Sequence, residues 1–198
     1  MSTRPTLILA STSRYRRELL ERLRLPFEVH APEVDETPRP GEPPAALAQR
    51  LALAKAQAVS VRFPEAVVIG SDQVADLDGT HLGKPGAHER AVAQLRAMRG
   101  RSVVFQTAVA VIRASTGYVG AALAPVTVRF RALGDTEIEH YLVTEKPYDC
   151  AGSAKAEALG ITLLEAIDSD DPTALIGLPL IRTCALLRAA GIDPLSPS

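Results

Sequence analysis

The chain opens its pattern with a short continuous apolar run, Leu7–Ala10, of the kind carried by a strand covered on both faces. Ser11, Thr12 and Ser13 follow with N-cap chemistry and predict a helix over 14–24, whose apolar face carries Leu19, Leu20 and Leu23. The prolines of "APEVDETPRPGEPP" forbid a helix and predict a surface or site-lining loop. From Pro44, Leu47, Leu51, Ala54 and Ala58 recur at helical spacing, and Val67–Gly70 reads as a second buried strand. A helix is predicted over 87–98. Val103–Ile112 and Val119–Phe130 then read as long strands joined around Ser115-Thr116-Gly117, which makes an antiparallel hairpin. Thr136 and Glu139 stand at capping-box spacing at the start of a further helix. Ile161–Leu164 reads as a strand, and Leu180–Ala190 as a closing helix ended by Gly191. Strands alternating with helices, interrupted by one long hairpin, predict an α/β fold with a mixed sheet and flanking helices. With no repeat, low-complexity tract or dividing linker, residues 1–198 read as one domain.

Composition narrows the classes of function. At 198 residues and 46% hydrophobic content, the chain can bury one sizeable core. Its formal net charge of -1 excludes a strongly electrostatic nucleic-acid binder, so an anionic ligand must be met by a local basic cluster. Apolar runs are too short for a membrane span, and the LILA segment is too short for a signal-peptide core, which predicts a cytoplasmic protein without a membrane partner. Cys150 and Cys184 lack metal-ligand spacing and read as buried structural thiols.

Three segments gather polar groups at the ends of predicted elements. In "ASTSRYRREL", hydroxyls and backbone N–H groups at a helix N-terminus attract anions, and Arg16 or Arg17 adds fixed positive charge. In "EVDET", Glu33, Asp35 and Glu36 are hard oxygen ligands of the type Mg²⁺ takes, though acids in such a loop are also ordinarily solvated. The third, "VVIGSDQVADLDGTHLGKP", carries Asp72, Asp76 and Asp78. Gly79–Lys84 misses the P-loop pattern in its glycine spacing, and Pro85 stands where that loop needs a hydroxyl. DLDGT matches the nucleophile signature of haloacid dehalogenase-like phosphatases, but Asp76 reads as lying beyond an already complete strand, and Asp78-Gly79 as a plain hairpin turn. Asp72 reads as following VVIG at the carboxyl end of a strand, where open α/β sheets bind ligands and a carboxylate can hold a metal or orient water. Lys84 is close enough in sequence to neutralise phosphate.

Taken in order, "LASTSRYRRELL", "APEVDET", "LALAKAQAV", "VIGSDQVADLDG", "GKP", "EKPYDCAGSAKAEALGI" and "DPTALIGLPL" resemble the Maf-type nucleoside triphosphate pyrophosphatases, in their 7-methyl-GTP branch, along nearly the whole chain. The resemblance implies a mixed α/β fold in two lobes around a deep cleft. It also implies hydrolysis of the α–β anhydride to a nucleoside monophosphate and pyrophosphate, as house-cleaning of modified nucleotides. Asp72 matches the catalytic proton acceptor. Glu36, with Asp72, would hold a divalent cation, Mg²⁺ or Mn²⁺. Ser11, Arg16, Lys55 and Lys84 fall on phosphate-contacting positions. Tyr15, Gln73 and Glu157 stand where the branches differ, and all three point to 7-methyl-GTP rather than dTTP or UTP. Physically, an aromatic face at Tyr15 attracts a cationic methylated base, and the Glu157 carboxylate accepts from guanine N–H donors. Two positions depart from the pattern: Arg14 replaces the usual proline, which predicts a reshaped helix start or an added phosphate contact, and Tyr15 stands where tryptophan is frequent. The resemblance also suggests a homodimer. The competing expectations are a dTTP/UTP-preferring enzyme, a phosphatase working through Asp76, and a nucleotide-binding regulator of division that does not turn over.

Overall fold

The computed structural model describes residues 4–196. Strand β1 (Leu7–Ala10) leads into helix α1 (Arg14–Glu21), strand β2 (Glu28–His30) and helix α2 (Pro44–Ser60). Strands β3 (Val67–Leu77) and β4 (Thr80–Leu82), helix α3 (His88–Met98) and the long hairpin of β5 (Ser102–Arg113) and β6 (Tyr118–Phe130) follow. Helix α4 (Asp135–Glu145), strand β7 (Leu164–Asp168) and helix α5 (Leu180–Ala189) complete the order. The sheet runs β2-β1-β3-β5-β6-β7 with β4 on β3, parallel at β2-β1-β3 and antiparallel elsewhere, the mixed sheet the pattern predicts. No helix of the described residues is long and apolar enough to cross a membrane.

Period-two alternation along the central strands sorts their side chains between two faces. Val68 of β3 and Ala108, Ala110 and Ile112 of β5 pack with Leu47, Leu51, Ala52 and Ala56 of α2 on one face. On the other, Val67, Ile69, Val109 and Val111 meet Leu19 and Leu20 of α1 and Leu187 of α5. Further along that second face, Ala75, Leu77, Phe105, Val126 and Phe130 pack with α3 and α4. Between these last two apolar clusters lies a polar band of Ser71, Gln73 and Thr107.

Several boundaries differ from the sequence pattern. Helix α1 stops at Glu21 because residues 22–24 tighten into i→i+3 bonds and Arg24 takes φ +54°. The start of α4 is capped two residues earlier than the Thr136–Glu139 pair predicts: the Gly134 N–H donates to the Glu137 carboxylate at 2.8 Å, and Thr136 lies inside the helix. Residues 159–163 coil instead of extending, because the chain doubles back so tightly at Gly160 that a Cβ there would stand 2.6 Å from the Lys155 carbonyl oxygen. The strand therefore begins at Leu164.

Candidate active site

The most consequential difference lies in β3. Asp72 does not end the strand, which continues to Leu77, and Asp76 lies within it, paired across to His81 and Val104. Val74 and Leu77 still pack inward, so the polar letters of "SDQVAD" belong to a half-polar strand. What ends near Asp72 is the neighbour. β1 stops at Ala10, opposite Gly70, and β4 begins pairing only at Ala75, so β3 has no strand partner on that edge at residues 71–74. Asp72 sits in this gap, 7% exposed.

Close packing of a helix brings its partner there. A Cβ at Gly70 would lie 2.3 Å from the Ala52 carbonyl oxygen and 2.5 Å from the Ala56 nitrogen, so only glycine lets the α2 backbone approach β3 this closely. Lys55, between those two helical residues, is buried at 5% exposure, and its Nζ lies 2.7 Å from Asp72 Oδ1 and 2.7 Å from Glu36 Oε1. Glu36 reaches in from the proline-rich loop, and its side chain remains mostly exposed. Burial alone would raise its pKa, but the Lys55 hydrogen bond and charge, with Lys84 and Arg16, hold it below the ordinary carboxylate value. Lys84 is itself exposed.

Arg16 comes from the opposite face through the same gap. Its Nη2 stands 4.0 Å from Asp72 Oδ1 and its Nε donates to the Gly177 carbonyl at 2.9 Å. Burial lowers its pKa, against the opposing pull of Asp72 and Glu36. Gly177 takes φ +125°, a conformation open to glycine, and its carbonyl also lies 3.0 Å from the Ser71 hydroxyl. Upstream, buried Ser11 accepts the Ser13 N–H at 3.1 Å, and Ser13 caps α1 by accepting from the Arg16 N–H at 3.4 Å. This cap starts α1 at Arg14 without the usual proline.

The other face of α1 opens on a cavity of about 290 Å³ lined by Arg14, Tyr15 and Glu18 from the helix and by Lys155, Glu157 and Ile176 from the later loops. Tyr15 and Glu157, far apart in sequence, thus share one pocket. Glu157 is exposed as a residue, yet the pocket walls desolvate its carboxyl and raise its pKa, with Glu145 and Glu18 adding to the effect against Lys155. The loop that carries it is fixed by the Lys155 Nζ contact to Glu145 at 2.6 Å and by the Leu159 N–H donating to Glu145 at 3.2 Å. Asp72 does not line this cavity; α1 connects the two, with Arg16 turned to the carboxylate and Tyr15 to the pocket.

Gln73 lies next to Asp72 but on the other face of the sheet. Its amide donates toward the carbonyls of Ala174 and Leu175, each at 2.9 Å, and Thr107 bonds the same Ala174 carbonyl. It therefore fastens the 174–176 turn, whose Ile176 is a pocket wall, and does not itself line the cavity. Asp171, fully buried, accepts from the Arg182 N–H and the Thr173 hydroxyl and holds that loop to α5.

Asp76 and Asp78 are engaged at the following turn. Asp78 and Gly79 form the β3–β4 turn at φ +50° and +84°, Asp76 accepts the Gly79 N–H at 2.8 Å, and Asp78 pairs with Arg101. Cys150 and Cys184 are partly exposed instead of buried. Burial still pushes the Cys150 thiol up to about 11, so it is a poor nucleophile. Neither the close approach at Gly70 nor the Gly177 junction was singled out from sequence; a glycine closing an otherwise branched apolar run is the signal for the first.

Comparison with known proteins places the chain among relatives of one kind. A family model described as Maf-like protein matches residues 6–190. A curated 7-methyl-GTP pyrophosphatase of Polaromonas sp. is 69% identical over 191 residues, 96% of this chain and 87% of the relative. Those of Albidiferax ferrireducens and Thiobacillus denitrificans are 67% and 59% identical, covering 96% and 98% of this chain and 95% and 96% of the relatives.

Proposed function

The chain belongs to the Maf-like family, and on that premise we propose that it is a nucleoside triphosphate pyrophosphatase hydrolysing 7-methyl-GTP to 7-methyl-GMP and pyrophosphate. The observation that carries the mechanism is the convergence of Asp72 and Glu36 on one buried ammonium, each 2.7 Å from Lys55 Nζ. Both cationic contacts to Asp72 fall on Oδ1, so Oδ2 is the oxygen that orients water and takes its proton as the anhydride breaks. Lys55 and Arg16 keep the carboxylate in place and offer positive charge to the phosphoryl oxygens. Lys84, exposed beside Glu36, meets the outer phosphates, and Ser11 has its O–H to donate to a phosphate oxygen. We place the cleft between two lobes along the gap in β3.

A divalent cation fits the donor set. The two carboxylates already converge on a cation, and no cluster of three or more His, Cys, Asp or Glu exists among the described residues, so triphosphate oxygens and water would complete the shell, as Mg²⁺ or Mn²⁺ accepts. Glu36 and Asp72 would hold it, and it would supply charge neutralisation on the phosphoryl oxygens. Specificity comes from the cavity: the Tyr15 ring faces a cationic purine and ionised Glu157 accepts its N–H donors, while Gln73 sets the Ile176 wall. The test is kcat/KM with 7-methyl-GTP, GTP, dTTP and UTP. A ranking led by 7-methyl-GTP supports the reading; one led by dTTP or UTP retains the chemistry and removes the pocket assignment.

A further inference from the structure

The Arg14 guanidinium carbon sits 4.7 Å from the centroid of the Tyr15 ring. Its Nη2 donates to the Tyr15 hydroxyl at 2.7 Å and lies 3.9 Å from an Asp149 carboxylate oxygen, so the side chain is tethered over the ring although mostly exposed. The Tyr15 hydroxyl in turn lies 3.4 Å from both Asp149 oxygens. Arg14, Tyr15 and Glu157 line the same cavity. The aromatic surface assigned above to the base is thus already facing a cation.

We infer that Arg14 is a specificity-determining residue that competes with the cationic base for the Tyr15 ring and so narrows the enzyme's preference for 7-methyl-GTP over GTP. The inference rests on the proposed pocket. A quadrupole attracts either cation, but two cations on one face repel each other, so a positively charged purine must first displace Arg14 toward Asp149. Neutral guanine gains less from the ring and meets no such repulsion. Lysine would keep the charge without the planar fork that bonds the hydroxyl while lying over the ring. The residue acts on selection between bases and takes no part in breaking the anhydride.

The test measures two ratios for wild type, Arg14→Gln, Arg14→Lys and Tyr15→Leu: kcat/KM for 7-methyl-GTP over GTP, and calorimetric affinity for 7-methyl-GMP over GMP. Arg14→Gln is expected to raise both ratios by ~2- to 5-fold, the range of one exposed cation–π contact, through KM and not kcat. Arg14→Lys should fall between Arg14→Gln and wild type, and Tyr15→Leu should lower both ratios. An unchanged or lowered ratio in Arg14→Gln, with Tyr15→Leu still lowering it, overturns the role of Arg14 and leaves the pocket standing. Unchanged ratios in both variants overturn the pocket and this inference with it. If neither triphosphate is hydrolysed but Arg14→Gln raises the affinity ratio, the proposed reaction fails and the inference about Arg14 holds.

Discussion

Replacing Gly70 by alanine should disable the enzyme through a helix that contains no atom of the substituted residue. The added Cβ would stand 2.3 Å from the Ala52 carbonyl oxygen and 2.5 Å from the Ala56 nitrogen. Both are backbone atoms of α2, so no side-chain rotation relieves the clash. The helix must retreat by roughly 1 Å to regain ordinary contact, and Lys55 travels with it. That displacement is large against the 2.7 Å contacts joining Lys55 to Asp72 and Glu36. Misplacement of a catalytic group by about 1 Å costs ~10²-fold in rate, and overpacking costs ~1–3 kcal/mol of stability. The assay is pyrophosphate release at saturating and limiting 7-methyl-GTP, beside urea unfolding of the same preparations. Gly134→Ala is the control, since its Cβ meets only the Glu137 carboxylate at 3.6 Å, with φ at an ordinary -78°. A Gly70→Ala variant with wild-type kcat/KM and an unchanged unfolding midpoint would refute the claim that this approach positions Lys55.

Lys55→Met should leave Asp72 buried and without its closest cation, lowering stability by ~3 kcal/mol in urea unfolding and abolishing turnover; adding Asp72→Asn should restore much of the stability and none of the activity. Because the pocket raises the Glu157 pKa, its carboxyl keeps a proton to higher pH when folded than when unfolded, so its ionisation costs folding stability as pH rises through that window. The proposed recognition of guanine by Glu157 needs the ionised form, so KM for 7-methyl-GTP should climb as pH falls through a value above the ordinary 4.5, and Glu157→Gln should remove that limb while raising the thermal midpoint at neutral pH. Converting Tyr15→Arg, Gln73→Thr and Glu157→Gln together should move the substrate ranking toward dTTP and UTP; an unmoved ranking would dissolve the branch assignment.

Local pattern carried much of the fold, because burial on two faces leaves a direct mark on sequence. Leu7–Ala10, the helix from Pro44 and the β5–β6 hairpin stand where periodicity and turn residues put them. Pattern failed where a tertiary neighbour decides. The extension of β3 past Asp72 depends on β5 pairing with residues that look like a polar loop, and the three-residue β2 is mostly exposed and has no alternation to read. At the proposed site, the resemblance named the residues and the structure divides them by place: Asp72, Glu36, Lys55 and Arg16 meet at one gap, Tyr15 and Glu157 share a cavity, and Gln73 bonds the turn behind its wall. That division follows from side-chain alternation along β3, which sends Asp72 and Gln73 to opposite faces, and from packing at Gly70 and Gly177 that no local signal quantifies.

The measurement that bears most directly on the central claim is identification of the products formed from 7-methyl-GTP by wild type, Asp72→Asn and Asp76→Asn in Mg²⁺ or Mn²⁺. The account predicts pyrophosphate and 7-methyl-GMP from wild type and Asp76→Asn, with the rate falling by ~10²- to 10⁴-fold in Asp72→Asn alone. Release of inorganic phosphate that survives Asp72→Asn and disappears with Asp76→Asn would contradict it.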